Sequence, residues 1–377
     1  MSFILIGILT LPFSRISGSE GQPAGWPEYS WDTVPLYIHF GKFDGLTDEE
    51  VRFVASHADL VCLEKGHGRN PHGSSEAGIE HDTLRLKKVN PELRVLYYWN
   101  TFLDYPLYDA HDVYDRHPEW WLRTVDGSLD KKGGTIRRYD LSLPEVREWW
   151  AEEVRKAVVD RTCDGVFADA FPQIASRGNI RLWGQEKFQA IQDGLIQTMQ
   201  LTRQKIGHEG IILFNGIRNT DTLHFGMDYL DVVDAVTIEH FDQFQSRSRE
   251  SMAQDIEDMI TAGKQGKMIM FKGWPGFNWT EETIRDVPYE TLLVRARENI
   301  IFPLACFLVG AQEYAYFCYS WGYRENHGSL DWYEEFDKPL GTPQGDAVRD
   351  DWTYARQFEN CLVWVDLQNH EARLDWK

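Results

Sequence analysis

The sequence contains no Cys-x-x-Cys pair, no Gly-x-Gly-x-x-Gly turn, no Asp-x-Asp-x-Asp-Gly loop, no short internal repeat and no low-complexity tract. The first absence removes the usual zinc-ribbon and dithiol motifs, and the third removes a ready-made calcium loop. The second argues against a doubly wound dinucleotide fold, which favours such a turn after its first strand. Cysteine is scarce: Cys62, Cys163, Cys306, Cys318 and Cys361 are scattered and lie mostly in apolar runs. An odd number so placed suggests reduced, buried thiols rather than a disulfide framework. Basic residues are also few, 39 Lys and Arg against 59 Asp and Glu, for a formal charge of −20. That balance excludes a nucleic-acid partner and an anionic membrane surface, both of which demand cationic patches. It leaves room for an anionic small substrate held by a local Lys or Arg cluster.

Aromatic residues are abundant: 15 Trp, 16 Tyr and 20 Phe in 377 residues. Such rings fill cores, and their faces also pack on the C–H faces of sugars. The doublets Trp120–Trp121 and Trp149–Trp150 cannot both point inward from a helix, so some aromatic surface is expected to remain for a ligand. At the N-terminus the apolar run Phe3–Phe13 precedes a small, polar stretch. It is too short to span a bilayer and suits a signal-peptide core, so residues 1–22 read as a signal peptide or leader. The mature chain is then expected to be secreted or periplasmic and free of membrane; without cleavage it would be cytoplasmic.

Beyond the leader, eight apolar runs alternate with helical patterns. The runs are 34–40, 58–64, 94–100, 164–170, 210–216, 234–240, 267–273 and 313–319. Thr47 followed by three acids marks a capped helix start, Pro144 and Glu145 open another helix, and Gly207 and Gly263 mark helix ends. Eight strand–helix alternations predict an α/β fold, a (β/α)8 barrel over 23–337, with the open doubly wound sheet as rival. The third strand is followed by a long loop rich in Tyr, Trp, His and Asp, where barrels build substrate walls. Residues 338–377 predict a short C-terminal extension, a β-hairpin turning at Asn369 and packed on the barrel.

Barrel chemistry sits at the carboxyl ends of strands. Those positions are His39; Glu64, Lys65 and His67; Trp99 and Asn100; Asp169; Asn215; Glu239 and His240; Lys272 and Trp274; Tyr319 and Trp321. Strand one carries a single His rather than His-x-His, against a metal amidohydrolase. His72, His81, His111 and His117 lack metal-site spacing as well. Lys272 or Lys65 could serve a Schiff-base lyase or aldolase, although a lysine beside carboxylates is more often an ion-pair partner. The third constellation is Asp169 with Glu239, two strands apart across the mouth. Glycoside cleavage needs such a pair, one carboxyl group to protonate the leaving oxygen and one to attack or activate water. The competing structural reading is a rim salt bridge from Glu239 to Lys272, and Glu64 is the spare acid. In the catalytic reading Glu64, Lys65, His67, Asn100, Asn215 and Lys272 bind hydroxyls or an acidic substituent, and Trp99, Trp274 and Trp321 form a stacking wall. No cofactor or metal is required. Asp169, near Lys65 or Lys272, is expected to keep a low pKa, and Glu239 a raised one.

The segment "YDLSLPEVREWWAEEVRKAVVDRTCDGVFADAF" resembles one found in barrel glycosidases, family 31 among them. There a D-x-(S/T)-x-P-E-V-R-x-W-W stretch leads into a strand ending D-G-x-x-x-D. Carried over, the nucleophilic aspartate ending that strand is Asp169. The family's acid/base is normally an aspartate, whereas strand six here offers Glu239. With "LEKGHG" and the closing "RQFENCLVWVD", the chain over roughly 35–375 is most similar to the groups called hypothetical glycosyl hydrolases. The resemblance implies a barrel glycoside hydrolase acting on a poly- or oligosaccharide. A barrel that binds carbohydrate without cleaving it is the alternative from another class. Sugar, linkage, stereochemical outcome and oligomeric state are left open.

Overall fold

The computed structural model describes residues 24–217, 224–244 and 246–377; the expected leader, 1–22, lies outside them. Eight strands pair in parallel in chain order: β1 Tyr37–Phe40, β2 Leu60–Leu63, β3 Arg94–Asn100, β4 Gly165–Asp169, β5 Ile211–Asn215, β6 Ala235–Ile238, β7 Met268–Gly273 and β8 Ala315–Tyr319. A parallel bridge between Leu36 and Phe317, with the Phe317 N–H donating to Pro35 O at 2.8 Å, brings the last strand back to the first. All eight fall within the predicted runs. They are almost wholly buried because side chains fill one face and helices cover the other, which is why they read as continuous apolar stretches.

Helix boundaries follow local chemistry. In α1 (Asp48–His57) the Thr47 hydroxyl accepts from the Glu50 N–H, and the Glu50 carboxylate accepts from the Thr47 N–H. This reciprocal cap leaves two fewer orphan donors at the helix start. The helix α2 (Ser75–Val89) starts at Ser74, and α3 (Pro144–Arg155) has Pro144 in its first turn, where no N–H is needed. The long α4 (Gln185–Ile206) stops at Gly207, whose φ of 74° suits a residue without Cβ. The helix α5 (Arg249–Lys264) follows strand β6, and α6 (Tyr289–Asn299) and α7 (Ile301–Gly310) precede strand β8.

Helix α7, "IFPLACFLVG", is apolar on every side because it is covered on every side. The barrel lies on one face. On the other lies a four-stranded antiparallel sheet, β9 Val348–Asp350, β10 Thr353–Gln357, β11 Cys361–Asp366 and β12 Glu371–Trp376. The predicted hairpin is its β11–β12 half, and two preceding strands extend it. The buried Arg356 of β10 donates to Leu308 O at 3.0 Å and to Ala311 O, so a guanidinium caps the carbonyl end of α7.

The Trp149–Trp150 expectation is corrected. Both rings are buried, in opposite directions. Trp150 points at the barrel and donates its indole N–H to Asn100 O at 2.9 Å. Trp149 points outward, where the long loop after β3 folds over it, bringing Tyr114, Trp120 and Tyr139 within ring-contact distance. The loop thus supplies a second apolar layer that a lone helix would lack. All five cysteines are free and buried.

Candidate active site

Side chains alternate along β3, so Tyr98 and Asn100 share one face and Trp99 takes the other. Asn100 is paired in register with Asp169, the last residue of β4. After Asp169 the chain turns through Ala170, whose φ of 79° places a residue with Cβ in the left-handed region. Such conformations cost of order 1 kcal/mol or more and persist where the surroundings enforce them. Here the turn folds the Ala170 N–H back to within 2.7 Å of Asp169 Oδ1.

Asp169 is surrounded by donors. Its Oδ1 also accepts from Asn215 Nδ2 at 2.9 Å. Its Oδ2 accepts from the Tyr98 hydroxyl and from Asn100 Nδ2 at 3.0 Å. Glu239, one residue past β6, is held in parallel fashion. Its Oε2 accepts from the same Asn215 Nδ2 at 2.8 Å and lies 3.1 Å from His240 Nε2. Its Oε1 accepts from the Tyr323 hydroxyl at 2.5 Å, and its backbone carbonyl from the Trp274 indole at 2.8 Å. One amide nitrogen therefore bridges the two carboxylates.

Electrostatics follow from this packing. Burial, then the negative charge of Glu239, raises the Asp169 pKa above the ordinary aspartate range, against the opposing pull of Lys65 and the Tyr98 hydrogen bond. The expected low value is thus corrected. Lys65 is nearby, but its ammonium lies 2.6 Å from Glu64 Oε2, and burial with a second carboxylate outweighs it at Asp169. At Glu64 the balance reverses: burial alone would raise its pKa, yet Lys65 and His39, 3.3 Å away, hold it low. Burial, reinforced by Asp169 and Glu239 respectively, pushes Tyr98 and Tyr323 well above the usual tyrosine range, so both stay protonated and keep donating.

A family profile described as Hypothetical glycosyl hydrolase family 15 matches residues 87–362. The chain belongs to that family. It is a glycoside hydrolase, and a carbohydrate is its substrate class. Among solved structures, the galactosidase domain of an alpha-galactosidase-sucrose kinase shares its fold, with a TM-score of 0.50 at 12% identity, over 88% of this chain and 46% of that one. A maltogenic alpha-amylase from Thermotoga neapolitana aligns with a TM-score of 0.49 at 11% identity, over 89% and 86% of the two chains. An alpha-galactosidase from Geobacillus stearothermophilus aligns with a TM-score of 0.49 at 12% identity, over 90% and 48%. This hydrolase thus spans about half the length of the two galactosidase chains. No curated protein sequence matches it. No helix among the described residues is long and apolar enough to cross a membrane, and none of their His, Cys, Asp and Glu side chains form a group that could hold a metal ion.

In this hydrolase Asp169, Glu239, Asn100, Asn215, Glu64 and Lys65 come together at the barrel mouth. Other residues expected there do not. His67 is fully buried with Nε2 2.8 Å from Asp82 Oδ2 on α2, an internal pair out of reach of a sugar. Trp99 faces the helix layer, against Tyr108 and Trp149. Trp321 is buried against Phe277 and Tyr289, and Trp274 is buried behind Glu239, so none of the three offers an open stacking face. Lys272 lies fully inside, its amine 2.6 Å from Ser320 Oγ and beneath the rings of Trp274 and Tyr323. Burial lowers its pKa. Tyr98 and Tyr323 went unrecognised in the sequence. Tyr98 could have been found, because it stands two residues from Asn100 on the same strand face.

Proposed function

We propose that Asp169 and Glu239 are the catalytic carboxylates of this glycoside hydrolase, Asp169 as nucleophile and Glu239 as general acid and base. The observation that carries the proposal is the shared donor Asn215 Nδ2, at 2.9 and 2.8 Å from the two carboxylates. Two oxygens bonded to one nitrogen can be no farther apart than those two bonds laid end to end. That limit applies to the nearest oxygens, Asp169 Oδ1 and Glu239 Oε2, and a pair so close suits the ~5–5.5 Å carboxyl separation of retaining enzymes.

The division of roles rests on the donors. Four hydrogen bonds converge on Asp169, and they favour its anion although burial and Glu239 oppose it. In the first step an Asp169 oxygen bonds to the anomeric carbon, the glycosidic C–O bond breaks, and the Glu239 proton passes to the departing oxygen. In the second, Glu239 takes a proton from water, the resulting hydroxide bonds to the anomeric carbon, and the ester to Asp169 breaks. The Glu64–Lys65 pair offers polar groups to hydroxyls around that carbon, while Asn100 and Asn215 hold the carboxylates.

The test is sugar release from plant, algal and microbial polysaccharides by wild type and Asp169→Asn, with folding checked by circular dichroism. Release that vanishes in a folded mutant is expected, with the product anomer matching the substrate by proton NMR. Equal release by both proteins would remove Asp169 from the chemistry, and an inverted product would overturn the retaining assignment.

A further inference from the structure

The segments that follow β7 and β8 enclose an open cavity of 500 Å³. Trp279, Thr280, Trp321, Asn326 and His327 are among its walls. Trp279 is 39% exposed, the one tryptophan among the large exposed hydrophobic side chains of the described residues. It is also firmly backed. Its ring stacks on Trp274 at 5.7 Å and 20°, meets Tyr323 edge-on at 5.1 Å, and its backbone N–H donates to Trp321 O at 2.8 Å.

The two rings that fix Trp279 are the two that hold Glu239. Trp274 binds the Glu239 carbonyl and Tyr323 binds its carboxylate. Tyr323, bonded to the Glu239 carboxylate and edge-on to Trp279, links the exposed indole to the Glu239 side of the reaction centre. The cavity's polar lining joins Thr280, Asn326 and His327 to the charged Glu281 and Arg285. The Asn326 amide has no hydrogen-bond partner among the described residues. The His327 ring lies parallel to Trp279 at 6.5 Å and 24°. Its Nδ1 is buried against Gly322, where a Cβ would stand only 2.1 Å away, and the residue lines the cavity. Burial, helped by Lys272 and Arg324, pushes the His327 pKa down to about 4, so the ring is neutral at ordinary pH.

We propose that this cavity is a sugar-binding subsite for the pyranose unit that departs with the proton of Glu239, with Trp279 as its stacking platform. The side of the bond assigned to it rests on the role of Glu239 proposed above. A rigid, half-open indole offers a sugar's C–H face large contact area at small entropic cost, while Asn326 and His327 can exchange hydrogen bonds with its hydroxyls. The substrate is then a glycan of two or more units, recognised on both sides of the scissile bond.

The test uses binding, so that it does not depend on turnover. Asp169→Asn protein is titrated with neutral gluco-, galacto-, manno- and xylo-oligosaccharides of two to six units, in both α and β linkage, followed by saturation-transfer NMR and tryptophan fluorescence. At least one series is expected to bind, with affinity lowered tenfold or more by Trp279→Ala and at least threefold by Asn326→Ala. The second variant serves if the first fails the circular-dichroism check. Absence of binding by every series, or binding changed less than twofold by both variants, would overturn the subsite. Sugar release by Asp169→Asn at the wild-type rate would instead remove the assignment of Asp169 and leave the binding result standing.

Discussion

Asp169 and Glu239 accept hydrogen bonds from the same nitrogen, Asn215 Nδ2. A single neutral donor between two half-buried carboxylates eases their mutual repulsion and sets their spacing. Asn215→Ala is expected to lower kcat by about 10²–10³, the cost typical of removing one preorganised donor. Steady-state kinetics on the substrate found in the panel check this, and a loss under threefold would make Asn215 a bystander.

The pH dependence follows from Asp169. Its raised pKa keeps it protonated, and unable to attack, at pH values where an ordinary aspartate is already ionised. The acidic limb of kcat/KM should therefore have its midpoint above 3.8, the unshifted value. Tyr98→Phe deletes a hydrogen bond that favours the anion, so the midpoint should move further up. A pH–rate profile of the two proteins reads both shifts, and a downward move in the variant would contradict the assignment.

Trp150 joins helix α3 to the site through its bond to Asn100 O, which is buried. Trp150→Phe keeps most of the ring volume and leaves that carbonyl unpaired, for an expected loss of about 1–3 kcal/mol. Trp150→Ala adds a cavity, and about 3–5 kcal/mol is expected. Denaturant unfolding measures both as a lowered midpoint with unchanged slope.

A titratable contact ties the terminal sheet to the loop after β6. His370, in the β11–β12 turn, has Nε2 2.7 Å from Asp242 Oδ2 and stacks on Phe302 at 3.7 Å. Glu298, Glu371 and Arg373 share the surrounding cavity. Its hydrogen bond to Asp242 raises the His370 pKa above 6.5, despite partial burial. A raised histidine pKa contributes stability that is complete below 6.5 and is lost as pH climbs through the folded value. His370→Ala should thus lower Tm at pH 5.5 and much less at pH 9. An equal drop at both would mean that only the ring stacking counts.

The fold was legible because its signals are local. A strand covered on both faces reads as an apolar run, and Thr47, Pro144 and Gly207 punctuate the helices between. Half of the site was legible for a related reason: Asp169, Asn215 and Glu239 stand at strand ends, positions that a barrel turns into a ring. Trp99 and Lys272 show what position alone leaves out. Parity sends Trp99 to the helix layer, and Lys272 remains inside the barrel with Ser320. Tyr323 and Trp279 arrive through loops, whose paths no periodicity encodes. The pKa of Asp169 is set first by burial and then by the charge of Glu239, against the pull of Lys65, which pairs with its chain neighbour Glu64.

The burial of Trp149 ties one position to the size of a distant segment. Its outward ring is tolerable only because the long third loop covers it. Shortening that loop would bare an indole, and a polar residue at 149 would leave the loop without its anchor. Across chains of this architecture the two should vary together, polar side chains at 149 accompanying short third loops. In evolutionary terms they are one inherited character rather than two.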